Sequence, residues 1–269
     1  MKIRPQIFGL LGRNISYSLS PLIFNAIFLR KGLHYNYTIF DMEARHLQKF
    51  IKGAKLLGIG GFNVTIPYKE RIMTFVDGTD KSAKDIGAIN LIKIDEGKLK
   101  GFNTDVYGIQ QTLESYMNVQ LKGAQVAVIG AGGAARAVMF YLRYTQSGKI
   151  FLLNRSTSHA KTLAELNKAY LDVEAIPLSL LPELVRENDI FIIINSTPVP
   201  THSLFGNQTA PKGLRIFDLS YKPDNYPYGR SRKRCDGRFM LAAQASRSLE
   251  LLCGVKESTK AIYKLIGRF

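Results

Sequence analysis

The sequence predicts an α/β protein of two domains, a Rossmann-like dinucleotide-binding domain and a mixed α/β substrate-binding domain, with a cleft between them. Three observations predict this fold class. The length of 269 residues suits two small domains. Short apolar runs alternate with helix-like segments from Ile7 onwards. A glycine-rich turn at residues 130–135 joins an apolar strand to a helix.

The amino-terminal part has the pattern of a mixed α/β unit. Strands are expected at Ile7–Leu11, Tyr35–Phe40 and Gly61–Ile66, with a hairpin of Ala88–Ile94 and Lys98–Phe102 around Glu96-Gly97. Helices are expected at Pro21–Arg30, Ala44–Leu57 and Pro67–Val76. Ser20 is the expected N-cap of the first helix, because Pro21 suits the first helical position.

The second part predicts a parallel, doubly wound sheet. Its expected strands are Gln125–Ile129, Lys149–Leu153, Asp189–Asn195 and Arg215–Leu219, and its expected helices are Ala134–Tyr144 and Ser158–Leu166. The segment Met240–Phe269 is predicted to form two helices separated near Gly254.

The composition excludes several classes of protein. With 46% hydrophobic residues the chain is not intrinsically disordered. Two cysteines give no disulfide framework, and with four histidines they give no four-ligand zinc pattern, so no metal site is predicted. No secretory signal is evident at Met1–Gly9 and no apolar stretch reaches the ~18 residues of a membrane span, so a cytoplasmic, non-membrane protein is expected.

The net charge of +16 leaves several interpretations open. It can reflect binding of nucleic acid, attraction to anionic membranes, capture of small anions, or simply a basic surface. The run Arg230-Ser231-Arg232-Lys233-Arg234 motivates the nucleic-acid interpretation, but it lacks interleaved aromatic residues and a recognition-helix pattern. We therefore expect no nucleic-acid partner.

The turn Gly130-Ala131-Gly132-Gly133-Ala134-Ala135 matches the dinucleotide-binding pattern G-x-G-x-x-A. The first glycine permits the tight turn, the second allows close approach of a pyrophosphate, and the helix that follows offers N–H groups to phosphate. A purely structural turn is the alternative.

The next strand ends in Asn154-Arg155-Ser156 without the acidic residue typical of NAD sites. A guanidinium there can pair with a 2′-phosphate, which favours NADP, and an exposed surface arginine is the alternative interpretation.

Four polar segments have both chemical and structural interpretations. Ser18 and Ser20 beside a helix amino terminus can hold a carboxylate or simply cap the helix. Lys69 can act as a general acid or base, or be a solvated surface lysine. Asn90 can be a turn residue, and Asp105 an acidic residue that favours a helix amino terminus.

Taken together and in order, these motifs resemble the shikimate dehydrogenase family. The resemblance extends over nearly the whole chain and rests on Ser18-Leu19-Ser20-Pro21, Asn63-Val64-Thr65-Ile66-Pro67-Tyr68-Lys69, Gly87-Ala88-Ile89-Asn90, Asn103-Thr104-Asp105, the glycine turn, Asn154-Arg155-Ser156, and Met240-Leu241-Ala242-Ala243-Gln244-Ala245. It implies NADPH-dependent, reversible reduction of 3-dehydroshikimate to shikimate, a step towards the aromatic amino acids, without a metal.

The resemblance also implies roles for individual residues. Lys69 and Asp105 would be the catalytic pair. The substrate would be bound by Ser18, Ser20, Thr65, Asn90, Tyr221 and Gln244. The cofactor would be bound by Gly130, Gly132, Gly133, Ala134, Asn154, Arg155 and Ser156.

The chain departs from the family pattern at several positions. Leu91 stands where Thr is usual, Val106 where Gly is usual, and Phe239 where Gly is common, near the expected nicotinamide site. His159 replaces a second basic residue for the 2′-phosphate, and Asn195-Ser196-Thr197-Pro198 replaces N-A-T-S. The stretch between Tyr221 and Gly237 is shorter than usual.

The expected domains are residues 1–106 with 242–269 for substrate and residues 107–241 for the dinucleotide. A small-molecule substrate and a monomer or homodimer are expected. An NAD-using quinate/shikimate dehydrogenase and a non-catalytic NADP-binding homologue remain the alternatives.

Overall fold

The computed structural model of the chain describes residues 6–206, 210–211, 213–221 and 233–268. The chain divides into two compact units, one of Met1–Tyr107 with Leu241–Phe269 and one of Gly108–Met240. The basic residues 230–232 and most of the shortened stretch after Tyr221 lie outside the described residues.

The first unit is a mixed sheet with helices. Its strands are β1 Gln6–Gly12, β2 Tyr35–Asp41, β3 Gly61–Val64, β4 Gly78–Thr79, β5 Leu91–Asp95 and β6 Lys98–Phe102. Their order in the sheet is β2-β1-β3-β5-β6-β4, and β5 runs antiparallel to both of its neighbours. The helices are α1 Ser20–Arg30, α2 Leu47–Leu56 and α3 Lys81–Ile86, together with 3₁₀ turns at Ala44–His46 and Arg71–Phe75.

The second unit contains a fully parallel sheet. Its strands are β7 Gln125–Ile129, β8 Ile150–Asn154, β9 Val173–Pro177, β10 Ile190–Asn195, β11 Arg215–Asp218 and β12 Arg234–Cys235, in the order β12-β11-β10-β7-β8-β9. Its helices are α5 Gly133–Leu142, α6 Thr157–Glu165 and α7 Leu181–Glu187, with 3₁₀ turns at Leu178–Leu180 and Thr201–Phe205. Numbered from β7, this is the 3-2-1-4-5-6 order of the Rossmann fold.

Three helices complete the chain. Helix α4 Asp105–Gln110 continues as a π-helical segment Gln111–Tyr116, and the carboxy-terminal part forms α8 Arg238–Cys253 and α9 Thr259–Ile266. Gly254, with φ of 68°, ends α8 in a left-handed conformation that favours glycine. Within the described ranges, none of the helices combines the length and the apolar character that a bilayer crossing requires.

Apolar packing holds each unit together. On one side of the first sheet, Phe24 and Phe28 of α1 pack with Phe8 and with Ala245 and Leu249 of α8. A separate cluster joins α2 to β3, with Leu47, Ile51 and Phe62 all buried. In the second unit, Ile193 of β10 packs with Leu181 and Leu184 of α7. Burial of these side chains, worth about 1.5–3 kcal/mol each, is the main stabilising contribution.

The predicted α/β class, with a Rossmann-like unit and a mixed α/β unit, is confirmed. Most of the predicted elements are confirmed as well, including the hairpin, in which Glu96 and Gly97 both have positive φ. Three local predictions are wrong. Pro67–Val76 forms turns and a 3₁₀ segment rather than a regular helix, because Tyr68 is drawn into the core and its N–H bonds back to Thr65. The strand expected at Ala88–Ile94 begins only at Leu91, and Ser20 is the first residue of α1 rather than its N-cap.

Candidate active site

A buried ion pair lies at one edge of the first unit. Lys69 Nζ lies 2.7 Å from Asp105 Oδ2, and the two side chains are 15% and 1% exposed. Lys69 belongs to the turn after β3, and Asp105 is the first residue of α4. A carboxylate buried this deeply is costly unless it is paired, and the ammonium group supplies that partner.

Two amide side chains hold the other carboxylate oxygen of Asp105. Asn90 Nδ2 donates to Asp105 Oδ1 at 3.0 Å, and Gln244 Nε2 of α8 donates to the same oxygen. Both oxygens of Asp105 therefore have donors, which fixes the orientation of the carboxylate and, through it, of the Lys69 ammonium group.

Sheet topology brings these residues together from distant parts of the sequence. Strand β5 runs antiparallel to β3 and to β6, so the end of β3, the start of β5 and the end of β6 meet at one edge. Asn90 precedes β5 and is clamped by its backbone, since its carbonyl accepts from Val64 N at 2.9 Å and its N–H donates to Phe102 O at 3.0 Å. The Lys69 carbonyl accepts from Ile89 N at 2.8 Å, which fixes the turn that carries the lysine.

Two residues that sequence reasoning missed support this cluster. Thr104 N donates to Asn90 Oδ1 at 2.7 Å, and the hydroxyl of Thr104 lies within hydrogen-bond distance of both polar atoms of the Asn90 side chain. Asn103 Oδ1 accepts from Asp105 N at 2.9 Å and Asn103 Nδ2 donates to Ala88 O, so it anchors the start of α4. Both stand in the Asn103-Thr104-Asp105 motif, so the motif itself was the signal.

The serines and Thr65 belong to the segments that follow two neighbouring strands, β1 and β3. Ser18 and Ser20 are buried after β1, and Ser18 Oγ accepts from Ser20 N at 3.2 Å in place of the predicted cap by Ser20. Thr65 directly follows β3, which pairs in parallel with β1. The structure thus groups Lys69, Asp105, Asn90 and Gln244 by direct contact. Ser18 and Ser20 lie in the loop after β1 and at the start of α1, and Thr65 lies directly after β3. Tyr221 belongs to the second unit, three residues after β11.

The glycine turn of the second unit leaves space beside the uncapped amino terminus of helix α5. Gly130 has φ of 110°, and a Cβ built on it would meet Ser196 Oγ at 2.3 Å, so this position requires glycine. A Cβ on Gly132 would meet nothing within 4 Å, and Gly132 is the N-cap of α5 without any side-chain cap. The uncapped first turn, which includes Gly133 and Ala134, can therefore offer N–H groups to a phosphate, so these residues fit a dinucleotide.

The end of β8 carries the residues predicted to select the cofactor. Asn154 Nδ2 donates to Ser156 O at 3.0 Å, and the hydroxyls of Ser156 and Ser158 lie 2.8 Å apart, which orders the turn. Arg155 is exposed in that turn, so its guanidinium group is accessible to the 2′-phosphate of a cofactor. Among the described residues, no three His, Cys, Asp or Glu side chains are grouped so that they could hold a metal ion.

Two of the departures noted in the sequence have structural explanations. Phe239 is buried and stacks on Tyr116, with ring centroids 4.6 Å apart, so its bulk is accommodated by another aromatic ring of the second unit. Leu91 is fully buried in the apolar core of the first unit.

The fold and the site define a class of protein: a dinucleotide-dependent oxidoreductase with a Rossmann unit and a buried Lys–Asp pair. Residues 10–92 match the family model described as "Shikimate dehydrogenase substrate binding domain", and residues 111–224 match "Shikimate / quinate 5-dehydrogenase". The chain belongs to the shikimate dehydrogenase family, which confirms the resemblance predicted from its motifs.

Individual relatives agree with this family assignment. The chain is 35% identical to a shikimate dehydrogenase (NADP(+)) of Caldanaerobacter subterraneus subsp. tengcongensis, over 97% of this chain and 96% of the relative. A shikimate dehydrogenase crystallised in complex with NADP+ has a TM-score of 0.82 and 33% identity, covering 98% of this chain and 95% of that one. The enzyme of Thermus thermophilus, in complex with NADP(H) and shikimate, has a TM-score of 0.80 and 28% identity, covering 98% and 99%.

Proposed function

We propose that the chain catalyses the reversible, NADPH-dependent reduction of 3-dehydroshikimate to shikimate, a step in the biosynthesis of the aromatic amino acids. The observation that carries the proposal is the buried Lys69–Asp105 pair, held by Asn90 and Gln244 at the edge of the first unit. The matches to both family models and to NADP-dependent relatives support the same activity.

In this proposal Lys69 and Asp105 act at the reacting oxygen of the substrate. NADPH, when bound, supplies the hydride that reaches the carbonyl carbon. The oxygen then becomes an alkoxide, and the Lys69 ammonium group stabilises that charge and donates the proton. Asp105, 2.7 Å from Lys69 Nζ, keeps the ammonium group oriented and accepts a hydrogen bond from a neighbouring substrate hydroxyl.

The remaining polar residues would bind the substrate. Ser18 and Ser20 offer two hydroxyl groups beside the start of α1 for the carboxylate. Thr65, Asn90, Tyr221 and Gln244 would bond the ring hydroxyls or the carboxylate. Asn90 and Gln244 already contact Asp105, so they link substrate binding to the catalytic pair.

The second unit would bind NADP. Gly130, Gly132, Gly133 and Ala134 would receive the pyrophosphate at the uncapped start of α5. Asn154, Arg155 and Ser156 would bind the adenosine end, with the Arg155 guanidinium on the 2′-phosphate. His159 is exposed on α6 and stands in place of a second basic residue, so Arg155 carries most of the selectivity in this proposal.

The proposed domain roles follow from this distribution. Residues 1–106 and 242–269 would form the substrate-binding domain, and residues 107–241 the dinucleotide-binding domain. We further propose that the protein works in the cytoplasm, as a monomer or homodimer.

A steady-state assay with two substrates and two cofactors tests the proposal. We expect oxidation of shikimate with NADP, with a kcat/KM well above the values for quinate or for NAD. A preference for quinate and NAD would favour the alternative quinate/shikimate dehydrogenase. Binding of NADP without turnover of either substrate would identify a non-catalytic homologue and contradict the proposal.

A further inference from the structure

A second polar cluster is buried at the carboxyl ends of β10 and β11. Asn195, Thr201 and Asp218 are all fully buried. Asp218 Oδ1 accepts three hydrogen bonds, from Asn195 Nδ2 at 2.7 Å, Thr201 N at 3.1 Å and Thr201 Oγ1 at 2.6 Å. Within the described residues, Asp218 Oδ2 is buried without a hydrogen-bond partner. All of the donors to this carboxyl group thus converge on one oxygen.

The same asparagine holds the loop that follows β10. Asn195 Oδ1 accepts from Thr197 N at 2.9 Å and from Thr197 Oγ1 at 2.7 Å, while Asn195 Nδ2 also donates to Val199 O at 2.7 Å. The loop from residue 195 to residue 201 is therefore folded around one side chain, and that side chain is fixed by Asp218.

The loop in turn packs on the glycine turn. Ser196 N and Ser196 Oγ both donate to Ile129 O, at 2.8 and 2.7 Å. A Cβ built on Gly130 would lie 2.3 Å from Ser196 Oγ and 3.2 Å from Thr197 Cγ2. Strands β7 and β10 are adjacent, and the strand order reverses at this point of the sheet. In Rossmann folds the dinucleotide binds at this switch point.

We infer that Asp218 is a positioning residue for the cofactor: by accepting hydrogen bonds through Oδ1 it holds Asn195 and the 195–201 loop against the glycine turn that receives the pyrophosphate. This inference rests on the proposed NADP-binding role of the second unit. Asp218 acts here as an acceptor and not as a charge, since the three donors come from neutral groups. Burial raises the pKa of the Asp218 carboxyl, which agrees with a role that needs no negative charge.

Two substitutions separate the acceptor role from the charge. Asp218→Asn keeps an acceptor oxygen at the Oδ1 position and removes the charge. Asp218→Ala removes the acceptor that Asn195 Nδ2, Thr201 N and Thr201 Oγ1 share. We expect Asp218→Ala to raise the Kd for NADPH about tenfold, the effect of one or two lost hydrogen bonds, and Asp218→Asn to change it less than threefold. The KM for shikimate should stay within twofold in both.

The matched control is Asn167→Ala in the same unit. Asn167 is also buried and also bonds through both polar atoms of its side chain, to Arg143 and Leu163, but it follows α6 away from the glycine turn. This variant should lower the Tm as much as Asp218→Ala does, without changing the Kd for NADPH. The change in NADPH fluorescence on binding and calorimetric titration both measure the Kd, and thermal melting measures the Tm.

The outcomes are distinct. A lowered Tm with unchanged NADPH affinity in Asp218→Ala would overturn the inference, because Asp218 would then be purely structural. An equal loss of affinity in Asp218→Asn would overturn the acceptor role. Because NADPH binding is measured without turnover, wild-type protein that binds NADPH but does not oxidise shikimate would contradict the proposed function while leaving this test intact. Failure of the wild-type protein to bind NADPH would overturn both.

Discussion

Asp105 and Asp218 are both buried aspartates at the edge of a sheet, yet their surroundings differ. Asp105 has an ammonium group 2.7 Å from one oxygen and two amide donors at the other. Asp218 has only neutral donors, all on Oδ1, and burial raises its pKa. The charge of the partner, rather than the degree of burial, decides what a buried carboxyl group can do. A carboxylate in an ion pair can orient a cation for proton transfer, whereas a carboxyl group with neutral donors holds those donors in position.

The largest expected effect comes from breaking the charged pair. Lys69→Ala should lower kcat about 10³-fold, because it removes both the proton donor and the charge that stabilises the alkoxide. The KM for shikimate should change far less, since the lost interaction is made mainly in the transition state. Steady-state kinetics at saturating NADP measures both values.

Lys55→Ala is the control for that substitution. Lys55 also pairs with an aspartate, Asp77, but at the surface and at 3.4 Å, so its removal should leave kcat unchanged. A tenfold or smaller loss of kcat in Lys69→Ala would contradict the catalytic role of the buried pair.

The next effect concerns the only charge proposed to contact the cofactor in the second unit. Arg155→Ala should raise the KM for NADP about tenfold and leave the KM for NAD nearly unchanged, because only NADP carries the 2′-phosphate. Lys168→Ala, another exposed cation of that unit, is the matched control and should affect neither value. Equal losses with the two cofactors would show that Arg155 does not contact the 2′-phosphate.

A smaller effect is expected from the uncharged side chains that are hydrogen-bonded around Asp105. Thr104→Val keeps the shape of the side chain but removes the hydroxyl that bonds Asn90, so we expect a few-fold loss of kcat and about 1 kcal/mol of unfolding free energy. Thr112→Val removes an equally buried hydroxyl that bonds Gly108 O in the second unit, and should cost stability alone. If both variants kept full kcat, Thr104 would have no part in orienting the site.

The smallest expected effect is the pH dependence of stability at Asp218. Its folded-state pKa is raised above the unfolded value of about 3.9, so its contribution to stability is complete below that pH and is lost as the pH rises through the folded pKa. Asp218→Asn does not titrate. The free energy of unfolding of this variant, relative to wild type, should therefore increase as the pH rises above about 4.

Urea unfolding at a series of pH values measures this difference. Its slope with pH is the informative quantity, because the amide itself can add a constant offset at every pH. Parallel stability curves for the two proteins would show that Asp218 does not titrate abnormally.

Motifs with a fixed local geometry were predictable from the sequence. The glycine turn, the Glu96-Gly97 hairpin and the break at Gly254 each depend on backbone conformations that glycine adopts readily, so local sequence is enough. The short strand β9 and the helix α7 escaped prediction, because Val173–Pro177 carries only a weak alternation and Leu181–Glu187 is short.

The sequence by itself determined the two-part α/β fold class, the dinucleotide turn and, through the motifs, the residues that make up the candidate site. Only the tertiary structure decided how those residues meet. Lys69, Asn90 and Asp105 are far apart in sequence and come into contact because the end of β3, the start of β5 and the end of β6 share one edge. Gln244 joins them from α8, which packs in the apolar core of the first unit. The cluster of Asn195 and Asp218 was likewise invisible, since the pairing of β10 with β11 is a non-local contact that no local pattern encodes.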